Sequence, residues 1–430
     1  MSESQFDRRE RLLGPGNPLF YDEPLHLVRG EGAWLFDISG KPYLDCYNNV
    51  PCVGHCHPRV VEAICTQTGL LNIHTRYLHD HILNYAERLL EKFDTSLDRI
   101  AIACTGSEAN DLAMRIARFH TGSEGFICTN ATYHGNTTAV GQFSDIYEPV
   151  GGYSKNVLRV AWPDSYRAPK GIVDLADHYA AEVQTAIDTL AERGISLAGM
   201  MICPIFANEG LPVIPEGYLQ KVAALVANAG GLLIVDEVQA GFGRTGRWWG
   251  HEGSGVVPDI VTLGKPMGAG YPISGLIARG ELIDRFRQQE MYFNTFAGNP
   301  VACAAGLAVL DVLEEEELID NARRTGGMVV EGLNALKAKH DLIGDVRGDG
   351  LFFALDLVTD RSEKTPDATA AKWIVNDMAQ RGVLISRIGQ HENVLKARPP
   401  LCFSAEQAEQ LLTTLDASLH SLTRQNILER

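Results

Sequence analysis

Lys265 follows a short apolar run, 260–263, and sits among glycines in Gly264-Lys265-Pro266-Met267-Gly268. Asp236 closes another such run, Leu232-Leu233-Ile234-Val235, twenty-nine positions earlier. A lysine and an aspartate at two strand ends suit one cofactor in particular. Pyridoxal phosphate (PLP) needs an amine to hold its aldehyde as a Schiff base and a carboxylate to keep its ring nitrogen protonated. Alone, Lys265 reads as a surface lysine at a strand end; its pairing with Asp236 favours the cofactor.

Two further segments have the chemistry to complete such a site. Thr105-Gly106-Ser107-Glu108 follows the run 100–104 and opens a helix, so the Gly106 and Ser107 N–H groups stand at a positive helix end that suits a phosphate. By itself this segment is equally well a plain helix cap. Tyr133-His134-Gly135 follows the run 125–128, where an aromatic ring can stack on a flat pyridine. Core packing is the simpler reading of Tyr133 when nothing else points to a ring.

Three look-alike motifs fail on context. Gly241-Phe242-Gly243-Arg244-Thr245-Gly246 has the dinucleotide spacing, but it does not lead from a strand directly into a helix. Gly264-Lys265 is no P-loop, because Pro266 stands where Ser or Thr is needed. Cys52-Val53-Gly54-His55-Cys56-His57 lacks a second ligand pair at zinc spacing, so no metal is expected there.

The elements that must position these residues alternate. Strands are predicted at 100–104, 125–128, 199–203, 232–235, 260–263 and 274–278, with helices at 108–120, 178–193 and 217–229 between them. That alternation predicts an α/β fold with a mostly parallel central sheet covered on both faces. Ligands of such sheets bind beyond the carboxyl ends of the strands, where Gly106, Asp236 and Lys265 would converge. Asn299-Pro300 is the cap and first turn of a long helix through Glu317, whose acidic run 314–317 is expected to be its solvated end. Three segments are predicted: 1–55 joining a small domain, 56–298 as the large cofactor-binding domain, and 299–430 as a smaller α+β domain with strands near 350–357 and 383–386.

Composition bounds the rest. The chain has 430 residues, 45% of them apolar, and a net charge of −16, which argues against nucleic-acid or anionic-membrane partners. Nine scattered cysteines fit a reducing compartment. No apolar run approaches a membrane span and the polar start has no signal core, so a soluble, cytoplasmic protein is expected.

Taken together the motifs resemble the class III aminotransferases, the ornithine/GABA-type group of PLP-dependent fold-type-I enzymes. The likeness runs from about Asp37 to Leu415. Within that group it is most similar to the ethanolamine-phosphate phospho-lyases and their alanine–glyoxylate-aminotransferase-2-like relatives. The shared stretches include Tyr43-Leu44-Asp45-Cys46, Val53-Gly54-His55-Cys56-His57-Pro58, Arg76-Tyr77-Leu78-His79-Asp80, Gly264-Lys265-Pro266-Met267-Gly268 and Asn393-Val394-Leu395-Lys396. The resemblance implies that Lys265 carries the cofactor and that Asp236 pairs with its ring nitrogen. It further implies that Val238 and Tyr133 flank the ring, with His134 in the same set, and that Gln239 bonds near the ring hydroxyl. Gly106 and Ser107 would hold the phosphate. Thr295 would reach the phosphate in a neighbouring subunit, so a homodimer with shared sites, possibly paired into a tetramer, is implied. Arg398, Arg76 and Tyr47 are the candidate substrate-side residues.

The chain departs from the pattern at one position. Many members carry a glutamate where this chain has Cys203-Pro204, and that glutamate gates the arginine corresponding to Arg398. Without it Arg398 should stay available for an anion, unless Glu209 substitutes. This tilts the expected chemistry towards elimination from a small primary amine bearing a phosphate or phosphonate. An ω-aminotransferase using pyruvate or 2-oxoglutarate is the alternative. A non-catalytic PLP carrier is disfavoured, because Lys265 and Asp236 are both present.

Overall fold

The structure, a computed structural model, describes residues 3–146 and 148–428. Its central sheet has seven strands, in the order Arg99–Ala103, Ser274–Ala278, Ile260–Leu263, Leu232–Asp236, Leu197–Ile202, Gly125–Thr129 and Val157–Val160. From Ile260–Leu263 outward to Val157–Val160 every pairing is parallel. Ser274–Ala278 alone among these strands runs the other way, antiparallel to both neighbours. The fold is α/β with a mostly parallel central sheet, as the alternation of runs predicts.

Strand residues divide between the two faces with period two, as pleating requires. Phe126, Cys128, Met201 and Ile234 pack with Leu112, Ala113 and Ile116 of the helix Gly106–Thr121. Ile127, Met200, Ile202, Leu233 and Val235 pack on the opposite side, against the helices Leu175–Glu192 and Tyr218–Asn228. Both faces are therefore covered, which is why the strands read as unbroken apolar runs. The short edge strand Val157–Val160, with Arg159 inside it, carries no such signal and escapes a reading by apolar runs.

The helix Pro300–Glu315 is buried along most of its length, and Asn299 caps it by accepting from the Ala302 N–H at 2.9 Å. Its acidic end is not simply solvated, as its composition suggests. Glu314 pairs with Lys92 at 2.7 Å and Arg88 at 2.8 Å, and Glu315 with Arg59 at 2.7 Å. The helix Pro58–Leu70 brings Arg59 there, and the helix Asp80–Leu90 with the turn that follows it brings Arg88 and Lys92.

A second, antiparallel sheet follows. Phe352–Asp360 pairs with Ile343–Asp349 and with Val394–Ala397, and the latter pairs with Ser386–Ile388. The predicted strand at 383–386 is in fact divided. Val383–Leu384 joins, in parallel, a small sheet made by Leu27–Glu31, Trp34–Asp37 and Pro42–Asp45, whereas Ser386–Ile388 belongs to the second sheet. Among the described residues no helix is long and apolar enough to cross a membrane.

One buried carboxylate ties the second sheet to the segment that follows the strand Val157–Val160. Asp356, 1% exposed, accepts from Arg167 Nη1 and Nη2 at 2.6 Å, from Arg347 Nη2 at 2.9 Å and from Asn393 Nδ2 at 2.7 Å. Removing one partner of a buried ion network leaves the others uncompensated. Asp356→Ala is expected to destabilise the fold by about 3–5 kcal/mol, measured by denaturant or thermal unfolding.

Candidate active site

Five strands that run in the same direction end on one edge of the central sheet, and residues just beyond each end line a single cavity of about 130 Å³. They are Gly106, Tyr133, Cys203, Asp236 and Lys265. Tyr133, Gln239 and Lys265 also face an adjoining cavity of about 630 Å³, lined on its far side by Tyr47, Lys396 and Arg398.

Asp236 ends its strand 5% exposed. Its Oδ2 accepts from Asn110 Nδ2 at 2.9 Å and meets His134 Nδ1 at 2.7 Å, and its Oδ1 accepts from the Val238 N–H at 2.9 Å. Burial by itself would raise the carboxyl pKa. The His134 bond and charge, the Val238 N–H and Asn110 outweigh burial and hold it below its ordinary value, so the group stays ionised. The partners are themselves fixed: Thr262 Oγ1 donates to Asn110 Oδ1 at 2.5 Å, and Thr132 Oγ1 lies 3.1 Å from His134 Nε2.

Val238 wedges between two glycines. A Cβ at Gly106 would stand 3.2 Å from a Val238 methyl, and one at Gly264 would stand 3.3 Å away. Both distances are tight, so a side chain at either glycine would push Val238 aside by a few tenths of an ångström. Beside them, Thr105 caps the helix Gly106–Thr121 in a reciprocal box with Glu108. The capping and phosphate readings of this segment are thus compatible, because the cap orders the turn that presents the Gly106 and Ser107 amides. Gly135 adopts a φ of 145°, and a Cβ there would lie 2.7 Å from Ser107 Oγ. That close approach brings the Tyr133-His134 loop against the same helix start.

Burial brings the Lys265 amine pKa down to about 8, and the positive charge of Arg398 contributes to the same effect. Arg398, 6% exposed, donates from Nε to the Tyr47 carbonyl at 2.9 Å and from Nη1 to Gln239 Oε1, and it lies 4.8 Å from the Tyr47 ring centroid. Glu209 does not replace the gate. Its carboxylate accepts from Thr129 Oγ1 at 2.7 Å and from the Asn208 N–H at 3.1 Å, and Arg398 has no carboxylate partner among the described residues. Buried in this way, Glu209 has its pKa raised.

The structure does not bring Arg76 or Thr295 to this cavity within one chain. Arg76 is exposed and stacks over Phe293 at 4.1 Å, and Thr295 lies exposed two residues beyond. Conversely, inspection of strand ends misses Asn110, Asn208 and Lys396. Asn110 is legible in hindsight, since it lies four residues past Gly106 on the same helix face.

The profile "Aminotransferase class-III" matches residues 21–419. The chain belongs to the class III aminotransferase family. It is 39% identical to a Drosophila melanogaster protein named alanine–glyoxylate aminotransferase 2-like, with 94% of this chain and 84% of that protein aligned. It is 36% identical to ethanolamine-phosphate phospho-lyase homolog 1 of Caenorhabditis elegans, over 98% and 94% of the two chains. Among solved structures, a phospholyase from Arthrobacter in complex with phosphoethanolamine superposes with a TM-score of 0.93 at 45% identity, over 97% of this chain and 100% of that one.

Members of this family depend on PLP. The residues present fit that group. A buried carboxylate kept charged, a helix start with free amides and a desolvated amine all face one cavity, and the glycines around Val238 shape its wall.

An amine attacks an aldehyde only when unprotonated. The rate at which cofactor-free protein takes up PLP should therefore rise with pH through about 8, the Lys265 value, followed by the absorbance change on loading. Arg398→Met removes a neighbouring positive charge and should move that rise to higher pH.

Proposed function

We propose that this chain is a PLP-dependent lyase acting on a small primary amine that carries a phosphate or phosphonate, with phosphoethanolamine as the representative substrate. One observation carries the reading. Arg398 is buried in the wall of the cavity that Lys265 enters, and among the described residues its guanidinium bonds only to neutral oxygens. An arginine left without a gate suits a site that always receives an anion. A transaminase with two alternating substrates, one of them uncharged, needs that arginine neutralised for half of each cycle.

In this reading Lys265 would hold the cofactor, and its free amine would remove the proton from the carbon bearing nitrogen. Asp236, its charge supported by His134 and Asn110, would pair with the ring nitrogen. Val238 and Tyr133 would flank the ring, Gln239 would bond near its hydroxyl, and Gly106 and Ser107 would hold the cofactor phosphate. When bound, the cofactor supplies an electron-withdrawing ring that takes up the charge left at that carbon. Arg398 orients the substrate phosphate, with Tyr47 beside it, so that the bond from the neighbouring carbon to the phosphate oxygen breaks. Overall, phosphoethanolamine and water give acetaldehyde, ammonia and phosphate, with no oxidant or acceptor required. Thr295 and Arg76, exposed on one face, are assigned to the site of a second subunit in a homodimer.

The aminotransferase reading uses the same Lys265 and Asp236 and differs in needing an acceptor. Enzyme incubated with phosphoethanolamine and no keto acid is expected to release phosphate and ammonia in equal amounts over many turnovers. Strict dependence on pyruvate or 2-oxoglutarate, with no phosphate released, would overturn the lyase. Arg398→Met should raise KM for phosphoethanolamine by about tenfold or more, as expected for losing a charge-assisted contact.

A further inference from the structure

Lys396 stands two residues before Arg398, at the end of the strand Val394–Ala397, and lines the same cavity. It is 3% exposed. Its Nζ reaches only the Ala207 carbonyl at 3.3 Å and Asn208 Oδ1 at 3.4 Å, both neutral and both long. Among the described residues, no carboxylate lies within ion-pair distance of it.

The lining as a whole is strongly positive for a protein of net charge −16. Five cationic side chains and two carboxylates face this cavity. The carboxylates are already engaged: Asp22 by Lys372 at 3.1 Å and Glu392 by Arg387 at 2.7 Å. Among the described residues, Lys396 and Arg398 have no carboxylate within ion-pair distance, whereas Lys265 feels the charge of Asp236. A buried ammonium with no partner is costly, so Lys396 is held back from protonation beside Arg398 until an anion enters.

We propose that Lys396 is the second cation of an anion subsite, alongside Arg398, which selects amines whose remote group carries two negative charges over those carrying one. The inference rests on reading the Lys265 cavity as the amine site. Asn208 organises the pair, since its Oδ1 accepts both from Lys396 Nζ and from Gln239 Nε2, and Gln239 in turn accepts from Arg398. Burial, then the charges of Arg398 and Lys265, pull the Lys396 pKa well below that of an ordinary lysine, against weaker opposing effects of Cys203 and Glu209. Arrival of a dianion reverses that balance, so binding draws a proton onto Lys396.

The test is titration calorimetry of the PLP-loaded enzyme with inorganic phosphate and with acetate, at mildly alkaline pH in buffers of different ionisation heat. Phosphate should bind more tightly than acetate and with net proton uptake. Lys396→Met should weaken phosphate about tenfold or more, abolish the uptake and leave acetate nearly unchanged, while Lys396→Arg keeps the preference for phosphate. Equal affinity for both anions in the unmodified enzyme overturns the subsite without recourse to any variant. So does a Lys396→Met enzyme that keeps its phosphate preference, or one that loses both anions alike. If phosphoethanolamine is not cleaved yet the Lys396-dependent preference holds, the elimination reading falls and the subsite stands. If it is cleaved with KM unmoved by Lys396→Met, the subsite falls and the lyase stands.

Discussion

The site depends on keeping one buried carboxylate charged. Asp236 lies in the middle of a seven-stranded sheet, where desolvation favours the neutral acid. Three donors reverse that preference, one from the helix that also bears the phosphate-side amides, one from the loop after Gly125–Thr129, and one from its own turn. Two of these donors are held by a further bond, from Thr262 to Asn110 and between Thr132 and His134. The charge is therefore a property of how three strand ends and a helix start meet. Any shift of the helix Gly106–Thr121 would disturb the Gly106-Ser107 turn and the Asp236 carboxylate together.

Chemistry at the far side of the cavity follows the opposite logic. There the protein gathers positive charge and withholds its own acids. Cys203 has its thiol pKa pushed up by burial, and Glu209 is turned to Thr129. The surplus is tolerated because Arg398 and Lys396 lean on carbonyl and amide oxygens, which offset part of the desolvation without cancelling charge. A cation satisfied in this way is held in place yet still attracts a ligand.

How much of this was legible in the residues depends on the kind of signal. Lys265, Asp236, Gly106 and Tyr133 stand at strand ends, and a doubly covered parallel sheet sends strand ends to one place, so their convergence followed from local pattern. The helix Pro300–Glu315 announced itself by Asn299-Pro300. What escaped depends on tertiary partners. Ile385 separates two short strands that pair in different sheets, a choice made by Asp45 and Lys396 and invisible within residues 383–386. The acidic run at Glu314 was read as solvated because its cations come from distant helices. The fate of Glu209 was open for the same reason, since Thr129 is eighty residues away in the chain. Arg76 and Thr295 lie where a single chain cannot bring them to the cavity.

The turn from Asp236 to Gln239 joins the two ends of the site. One end of this four-residue segment faces the ring-nitrogen position, and the other accepts from Arg398. The Val238 N–H bond to the Asp236 carboxylate and the packing of Val238 against Gly106 and Gly264 leave this turn little freedom. It therefore fixes the spacing between the buried Asp236 carboxylate and Arg398. In the proposed reading, a substrate one methylene longer would carry the same charges yet place its leaving group past the reacting position. Chain length, and not charge alone, then becomes a criterion of selection, set by the stiffness of a turn that holds the arginine through Gln239.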